Sequence, residues 1–258
     1  MRPIVLISVV FGAASLASAQ HTLFAAESVS GSLGGNTSLY GGLQQYDFAS
    51  TGGAFVAGPG LTPGQLNDPV GVFFSGSSLY VGNRHGNNQG LGSVQKFSWD
   101  GSSLSGGATV ATQSSSSFQG FHGFTFAPNG DMFVTTVNGG TRRYRDSGSG
   151  LVDIGGTSSG AVRDAWISPD GSKLFETTVG NTIVVTDVLA NSFGSSSSFG
   201  VAGSNAMHQM AFRGGSLYVT GFNSSTVHQI SLDGSYNPVS SSIVANINAA
   251  LGIAFSPD

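Results

Sequence analysis

The feature that most constrains the fold is an internal repeat. Four segments align when the chain is compared with itself. Phe121 to Gly130 runs into Asp131-Met132-Phe133-Val134, and Arg163 to Gly171 runs into Lys173-Leu174-Phe175-Glu176. His208 to Phe212 runs through Gly214-Gly215 into Leu217-Tyr218-Val219, and Pro69 to Phe74 runs through Gly76 into Leu79-Tyr80-Val81. Each unit reads as an apolar strand, a tight Pro/Asp/Asn/Gly turn and a second apolar strand, the signature of a hairpin whose turn needs positive φ. A third strand follows at Val94 to Ser98, Thr141 to Arg145, Thr182 to Asp187 and Thr226 to Leu232. A weaker fourth is expected near Ala108 to Thr112, Leu151 to Ile154, Phe199 to Ala202 and Ile243 to Ala245.

Four short antiparallel strands recurring with a period near ~40–45 residues make one blade of a β-propeller. No helical periodicity of useful length competes with it outside the first residues. The chain ends on Leu251 to Asp258, a first strand without its second, while Thr22 to Glu27, Leu43 to Phe48 and Ala54 to Ala57 read as a second, third and fourth strand without a first. The predicted fold is therefore all-β, a propeller of about five four-stranded blades, with one blade closed by pairing the C-terminal strand with the N-terminal strands. That arrangement would leave no open ring edge to aggregate. The alternative is a propeller of six or more blades of which this chain is a truncated piece.

Residues 1–19 read as a signal peptide: Arg2, an apolar run from Ile4 to Leu16, then Ala17-Ser18-Ala19. The apolar run is too short to span ~30 Å of hydrocarbon. Residues 20–258 are expected to form a single propeller domain, secreted to the extracellular space or to the periplasm and cell envelope, with no membrane span after cleavage. Composition supports a folded core over low-complexity disorder, since 39% of residues are apolar and the 18 Phe fall at regular positions. Charged residues make up only 9% of the chain, so Ser, Asn, Thr and Gly turns must do the solubilising. A net charge of -4 with two lysines, Lys96 and Lys173, excludes the electrostatic footprint of a nucleic-acid binder. With no cysteine there are no disulfides and no thiolate metal sites, and stability must come from the core.

Ile167-Ser168-Pro169-Asp170-Gly171-Ser172-Lys173-Leu174-Phe175, followed by Gly180 to Asp187, resembles the YVTN-type surface propeller repeat. Leu217 to Thr220 with Ser225-Thr226-Val227 is similar, and the wider set resembles NHL and lactonase-like propellers over nearly the whole mature chain. The resemblance implies a fold; propellers host binding modules, scaffolds and enzymes alike.

Counting back four residues from Phe74, Phe126, Ile167, Phe212 and Phe255 gives the starts of the innermost strands, Val70, His122, Arg163, His208 and Leu251, where a propeller channel opens. Asp68 and Asp164 adjoin this set, and the second strands end at Asn83, Thr136, Thr178, Gly221 and Glu27. His122 and His208 are the candidate catalytic residues, since imidazole titrates near neutrality and serves as a general acid or base. Arg163, with Asp164, Asp68, Asn83 and Glu27, forms the candidate ligand-binding set, Arg163 offering a bidentate fork to carboxylate or phosphate. The plain alternative is that Arg163 pairs with Asp164 or Asp68 while the histidines bond to the backbone.

No metal ligand set is assigned and no cofactor is expected, although a divalent metal remains conceivable. Gluconolactonase- and regucalcin-like propellers hold calcium through Asn and carboxylate groups at the channel mouth, whereas these five positions carry Val, His, Arg, His and Leu. Two histidines could begin a zinc or copper site, but Arg163 between them would repel the ion. Arg142, Arg143 and Arg145 read as a solvated face of a third strand. The expected function is a monomeric secreted binding or scaffold protein recognising a small molecule, glycan or protein at the channel face. The alternative is a lactonase-like hydrolase or lyase using the His/Arg cluster.

Overall fold

A computed structural model describes residues 21–27, 42–48, 55–57, 69–83, 92–100, 103–113, 120–136, 138–148, 150–250 and 252–253. They fall into two compact units, one ending at Phe121 and the other beginning at His122. The first unit holds a three-stranded sheet, β1 (His21–Glu27), β2 (Gly42–Phe48) and β3 (Phe55–Ala57), in that order. It also holds a four-stranded sheet, β4 (Pro69–Ser75), β5 (Ser78–Asn83), β6 (Ser93–Trp99) and β7 (Leu104–Thr112). The second unit carries three four-stranded sheets. They are β8 (Phe121–Phe126), β9 (Met132–Thr136), β10 (Gly140–Asp146) and β11 (Leu151–Gly156); β12 (Val162–Ile167), β13 (Lys173–Thr178), β14 (Thr182–Val188) and β15 (Phe193–Gly200); and β16 (Met207–Arg213), β17 (Ser216–Gly221), β18 (Thr226–Leu232) and β19 (Pro238–Asn246).

Every strand pairs with its sequence neighbour, and no helix occurs among the described residues. Four antiparallel four-stranded meanders in series are the blades of a β-propeller. The N-terminal three strands also form as expected, but their pairing with the C-terminal strand lies outside the described residues, as do Leu251 and residues 254–258.

The hairpin turns explain the recurrence of Gly. Gly130 has φ +86° and donates its N–H to Ala127 O at 2.9 Å, while Asn129 Oδ1 accepts from Asp131 N. In the next blade Gly171 has φ +76° and donates to Ser168 O at 2.8 Å, and Asp170 Oδ1 accepts from Ser172 N. Any side chain at these φ values is strained, so the turn fixes the residue and the residue fixes the register.

Burial falls steeply across each blade. All five residues of β9 are buried, and β13 and β17 are nearly so, whereas most of β7, β15 and β19 is exposed. In the second unit, Phe175, Ile183, Val185, Val201, Met207, Met210, Leu217, Val219 and Ile230 form one core cluster, with Trp166 edge-on to Phe212 at 5.8 Å. Full burial of each such side chain stabilises by roughly 1.5–3 kcal/mol. The outer strands have little to bury. The fourth strands consequently begin several residues earlier than hydrophobicity suggests, at Leu104, Phe193 and Pro238 rather than Ala108, Phe199 and Ile243.

The arginines of β10 are the clearest correction to the sequence reading. Arg143 is 2% exposed and lies on the face opposite Arg142. Its guanidinium meets Asp131, itself 2% exposed, at 2.5 Å, and donates to the carbonyls of Leu189 and Ala190 in the following blade. Arg145 grips the same carboxylate at 2.7 Å and also reaches Ala190 O and Asn191 Oδ1. Two guanidinium groups on one carboxylate thus clamp the turn between β14 and β15. Arg142 is tied on the other face to Asp153 at 2.7 Å. Arg143, in the interior, and Arg145, partly exposed, are inter-blade cross-links, while Arg142 is a part-buried link within its own blade; none of the three stands on a merely solvated face.

Burial pushes the Asp131 carboxyl up, but the bonds from Arg145 and Arg143 outweigh it and hold it below its ordinary value. A carboxyl lowered in the folded state adds stability above its unfolded pKa, and that stability is lost as pH falls through the folded value. Asp131→Ala, which strands a buried guanidinium, is expected to cost about 3–5 kcal/mol in denaturant unfolding at pH 7. The loss should shrink at pH below about 4. A cost under about 1 kcal/mol at pH 7 would show that the clamp is not a stability element.

Candidate functional site

Two of the first strands that carry the site, β12 and β16, share a local irregularity with β4. Pairing with the second strand slips by a bulge between Pro69 and Gly71, between Val162 and Asp164, and between Met207 and Met210. A bulge leaves one backbone N–H without its ladder partner, and in β13 and β17 a threonine supplies it. Thr177 Oγ1 accepts from Asp164 N at 3.0 Å, and Thr220 Oγ1 accepts from Gln209 N at 3.1 Å. Thr135 Oγ1 likewise accepts from Gly123 N at 2.7 Å. The same hydroxyls reach the next first strand. Thr177 Oγ1 donates to His208 O at 2.8 Å, and Thr135 Oγ1 lies 3.4 Å from Arg163 O. The backbones of the residues that carry His122, Arg163 and His208 are thereby pinned to one another.

The second unit brings these three side chains together. Arg163 Nη1 stands 3.5 Å from His122 Nε2. His208 is half-buried, edge-on to the Phe222 ring at 5.7 Å, and its imidazole is pushed down to about 4 by burial and then by the charge of Arg163. At neutral pH it is an uncharged donor and acceptor.

The Asp164 carboxylate is engaged by the first strands on either side of its own. Its Oδ2 accepts from Met210 N at 2.8 Å, and its Oδ1 occupies the space that a Cβ on Gly123 would need. It therefore lies across the seam of three first strands. Burial raises it to about 7, against the backbone bonds from Met210 and Ala165. Gln209 Oε1 accepts from Ile253 N at 3.2 Å, bringing the described end of the chain beside β16.

Of the remaining candidates, only Asn83 has a described side chain. Asn83 is 2% exposed and donates from Nδ2 to Ser93 Oγ at 3.2 Å within its own blade. Glu27 ends β1 opposite Gly42, and its side chain lies outside the described residues, as do Asp68, Leu251 and the side chain of Val70. Among the described residues no group of three or more His, Cys, Asp or Glu side chains is placed to hold a metal ion.

One polar residue escaped the sequence reading. Glu176 is 0% exposed in the middle of β13. Its Oε1 accepts from Thr141 Oγ1 at 2.6 Å and from Thr157 Oγ1 at 2.7 Å, and its Oε2 accepts from Ser159 Oγ. Burial pushes this carboxyl above its ordinary value, with the three hydroxyls pulling the other way. The signal was in the repeat: Val81, Val134 and Val219 occupy the same position in the other three complete blades.

No protein-family model matches the chain, and the curated proteins yield no match. Solved structures do. A "putative 6-phosphogluconolactonase" from Bacteroides uniformis aligns with a TM-score of 0.62 at 13% identity, over 92% of this chain and 72% of that one. A protein described in the same words from Bacteroides fragilis aligns at 0.58 and 11% identity, over 88% and 82%. A nidogen/laminin complex contributes a chain at 0.59 and 12% identity, over 85% and 74%. At such identities the likeness is one of fold alone, the β-propeller, which a chain named as an enzyme and a chain of a nidogen/laminin complex share.

Asp164 gives a pH dependence of unusual sign. Its folded value of about 7 lies above the ordinary 3.8, so the folded state binds the extra proton between those limits. Stability is then greatest below about pH 4 and falls as pH rises towards 7. Asp164→Asn, which keeps the acceptor for Met210 N, is expected to raise the melting temperature at pH 8 and to flatten its fall between pH 4 and 8. Thermal melts across that range test it, and a variant as pH-dependent as the parent would remove Asp164 as the cause.

Proposed function

We propose that the chain is a secreted propeller of the NHL/YVTN type that binds an anionic small molecule, or the acidic group of a glycan or protein, where β8, β12 and β16 begin. The observation that carries this reading is the pairing of Arg163 with His122 at 3.5 Å, with the neutral imidazole of His208 held in the field of the same guanidinium. Arg163 supplies the fixed charge and the forked donors that carboxylate and phosphate fit. A neutral imidazole adds a hydrogen bond without a second charge. Asp164 takes no part in ligand contact in this reading, because its oxygens are committed to the Met210 amide and the Gly123 seam. The apolar segment at residues 4–16 with Ala17-Ser18-Ala19 supports export, and the low charge density suits an extracellular or envelope protein. No metal or other cofactor is invoked, and the protein acts as a monomer.

A lactonase-like hydrolysis is the second reading, favoured by the names of two of the structural neighbours. There Arg163 would hold the substrate's acidic group while His122 takes a proton from water attacking the ring carbonyl and returns it to the leaving oxygen.

Calorimetry at pH 7 with inorganic phosphate, gluconate and 6-phosphogluconate separates the two. Binding that weakens about 10–100-fold in Arg163→Met is expected, the loss of a charge-assisted hydrogen-bond pair. Equal affinity in the variant would remove Arg163 from the site. Steady hydrolysis of 6-phosphogluconolactone, lost in His122→Ala, would establish the enzyme in place of the binding protein.

A further inference from the structure

Glu176 breaks the repeat at a position where an apolar side chain suffices. Val81, Val134 and Val219 fill it elsewhere, each 0% exposed. The residue opposite on the first strand has changed in concert. Glu176 pairs with Ala165, whereas Val81 pairs with Val72 and Val219 with Met210, so the smaller alanine leaves room for the longer acid. No cation is among the carboxylate's partners, and Lys173 on the same strand is committed to Asp187. A buried carboxylate satisfied by three hydroxyls and the Thr141 backbone amide, with no cation, costs several kcal/mol relative to a hydrocarbon of similar size. Packing alone gives no reason to keep it.

Its hydroxyl partners supply the reason. Thr157 and Ser159 belong to residues 157–161, the segment that crosses from β11 to β12, and Thr141 is the second residue of β10. Thr157 Oγ1 in turn accepts from Thr141 N at 2.9 Å, and Gly160 O accepts from Gly140 N at 2.7 Å. The crossing segment is thus sewn to β10 and β13 through one carboxylate. Two residues after Gly160 come Val162, 0% exposed, and then Arg163. We propose that Glu176 is a positioning residue: by fixing residues 157–161 it sets where the Arg163 guanidinium stands relative to His122 and His208. Its effect on ligand rests on the reading of Arg163 as the anion contact, whereas its effect on the guanidinium does not.

The imidazole titrations of His122 and His208, followed by NMR, report the guanidinium without any ligand. Arg163→Met should raise the His208 value, because the guanidinium adds to the depression that burial begins. Glu176→Val, which restores the residue type of the other blades, should fold with an equal or higher melting temperature and yet shift His208 upward in the same direction. It should also weaken phosphate binding about tenfold. Glu176→Gln, keeping one acceptor for Thr141 and Thr157, should recover part of both effects.

An unchanged His208 titration in Glu176→Val overturns the positioning role, whether or not phosphate binds. A shifted titration in a protein whose parent binds no anion keeps the positioning role and removes the anion reading instead. Should Glu176→Val fail to fold, Ser159→Ala with Thr157→Val removes the two hydroxyl arms while leaving the carboxyl in place, and the same titration decides.

Discussion

The second unit depends on a single hydroxyl repeated in each of its three blades. Thr135, Thr177 and Thr220 each fill the hydrogen-bond gap left at the start of a first strand, and Thr177 and Thr135 also reach the backbone of the strand beyond. Without such a group the gap would be a buried unsatisfied amide, worth about 1–3 kcal/mol at each position. Threonine does this where valine, of almost the same shape, would not. The constraint also explains why functional side chains can stand here. The backbone is fixed by neighbours, so the residues at 122, 163 and 208 present their side chains from a fixed frame.

Blade-to-blade attachment elsewhere uses charge sparingly. With only nine basic residues in the chain, three of them are spent on β10, where Arg143 and Arg145 share Asp131 and Arg142 holds Asp153. Surface pairs would contribute little, while a desolvated clamp with every donor satisfied specifies how one blade's turn meets the next. The outer strands take the opposite course. β15 and β19 expose serines and a few aliphatics, and solubility comes from hydroxyls instead of ions.

These two economies decide what the sequence disclosed. First, second and third strands were legible because their apolar residues alternate and their turns require Gly at positive φ, as at Gly130 and Gly171. Fourth strands were legible only in part, because β15 reads Phe-Gly-Ser-Ser-Ser-Ser-Phe-Gly and carries no burial pattern. The candidate trio followed from counting along aligned strands, and His122 and Arg163 do meet. Charge misled at β10, since polarity was read as exposure. Strand alternation places Arg142 and Arg143 on opposite faces, but nothing local says that both faces are covered. Asp164 was chosen for its neighbourhood with Arg163, yet its partners are backbone amides, which leave no mark in a sequence.

The two acids whose carboxyls are pushed up by burial, Asp164 and Glu176, share one blade, on the adjacent strands β12 and β13. Neither has a counterpart in the other complete blades, where the aligned residues are Gly71, Gly123 and Gln209 in one case and valines in the other. A repeat fold needs no such asymmetry for stability, because every blade solves the same packing problem. Two costly carboxylates in one repeat, flanking the arginine that the other blades lack, mark that blade as the one on which selection for something besides folding has acted. The direction of argument is then from departure to function: where a repeating chain stops repeating, and bears a desolvation penalty to do so, the local geometry serves the neighbouring side chain. In this chain that side chain is Arg163.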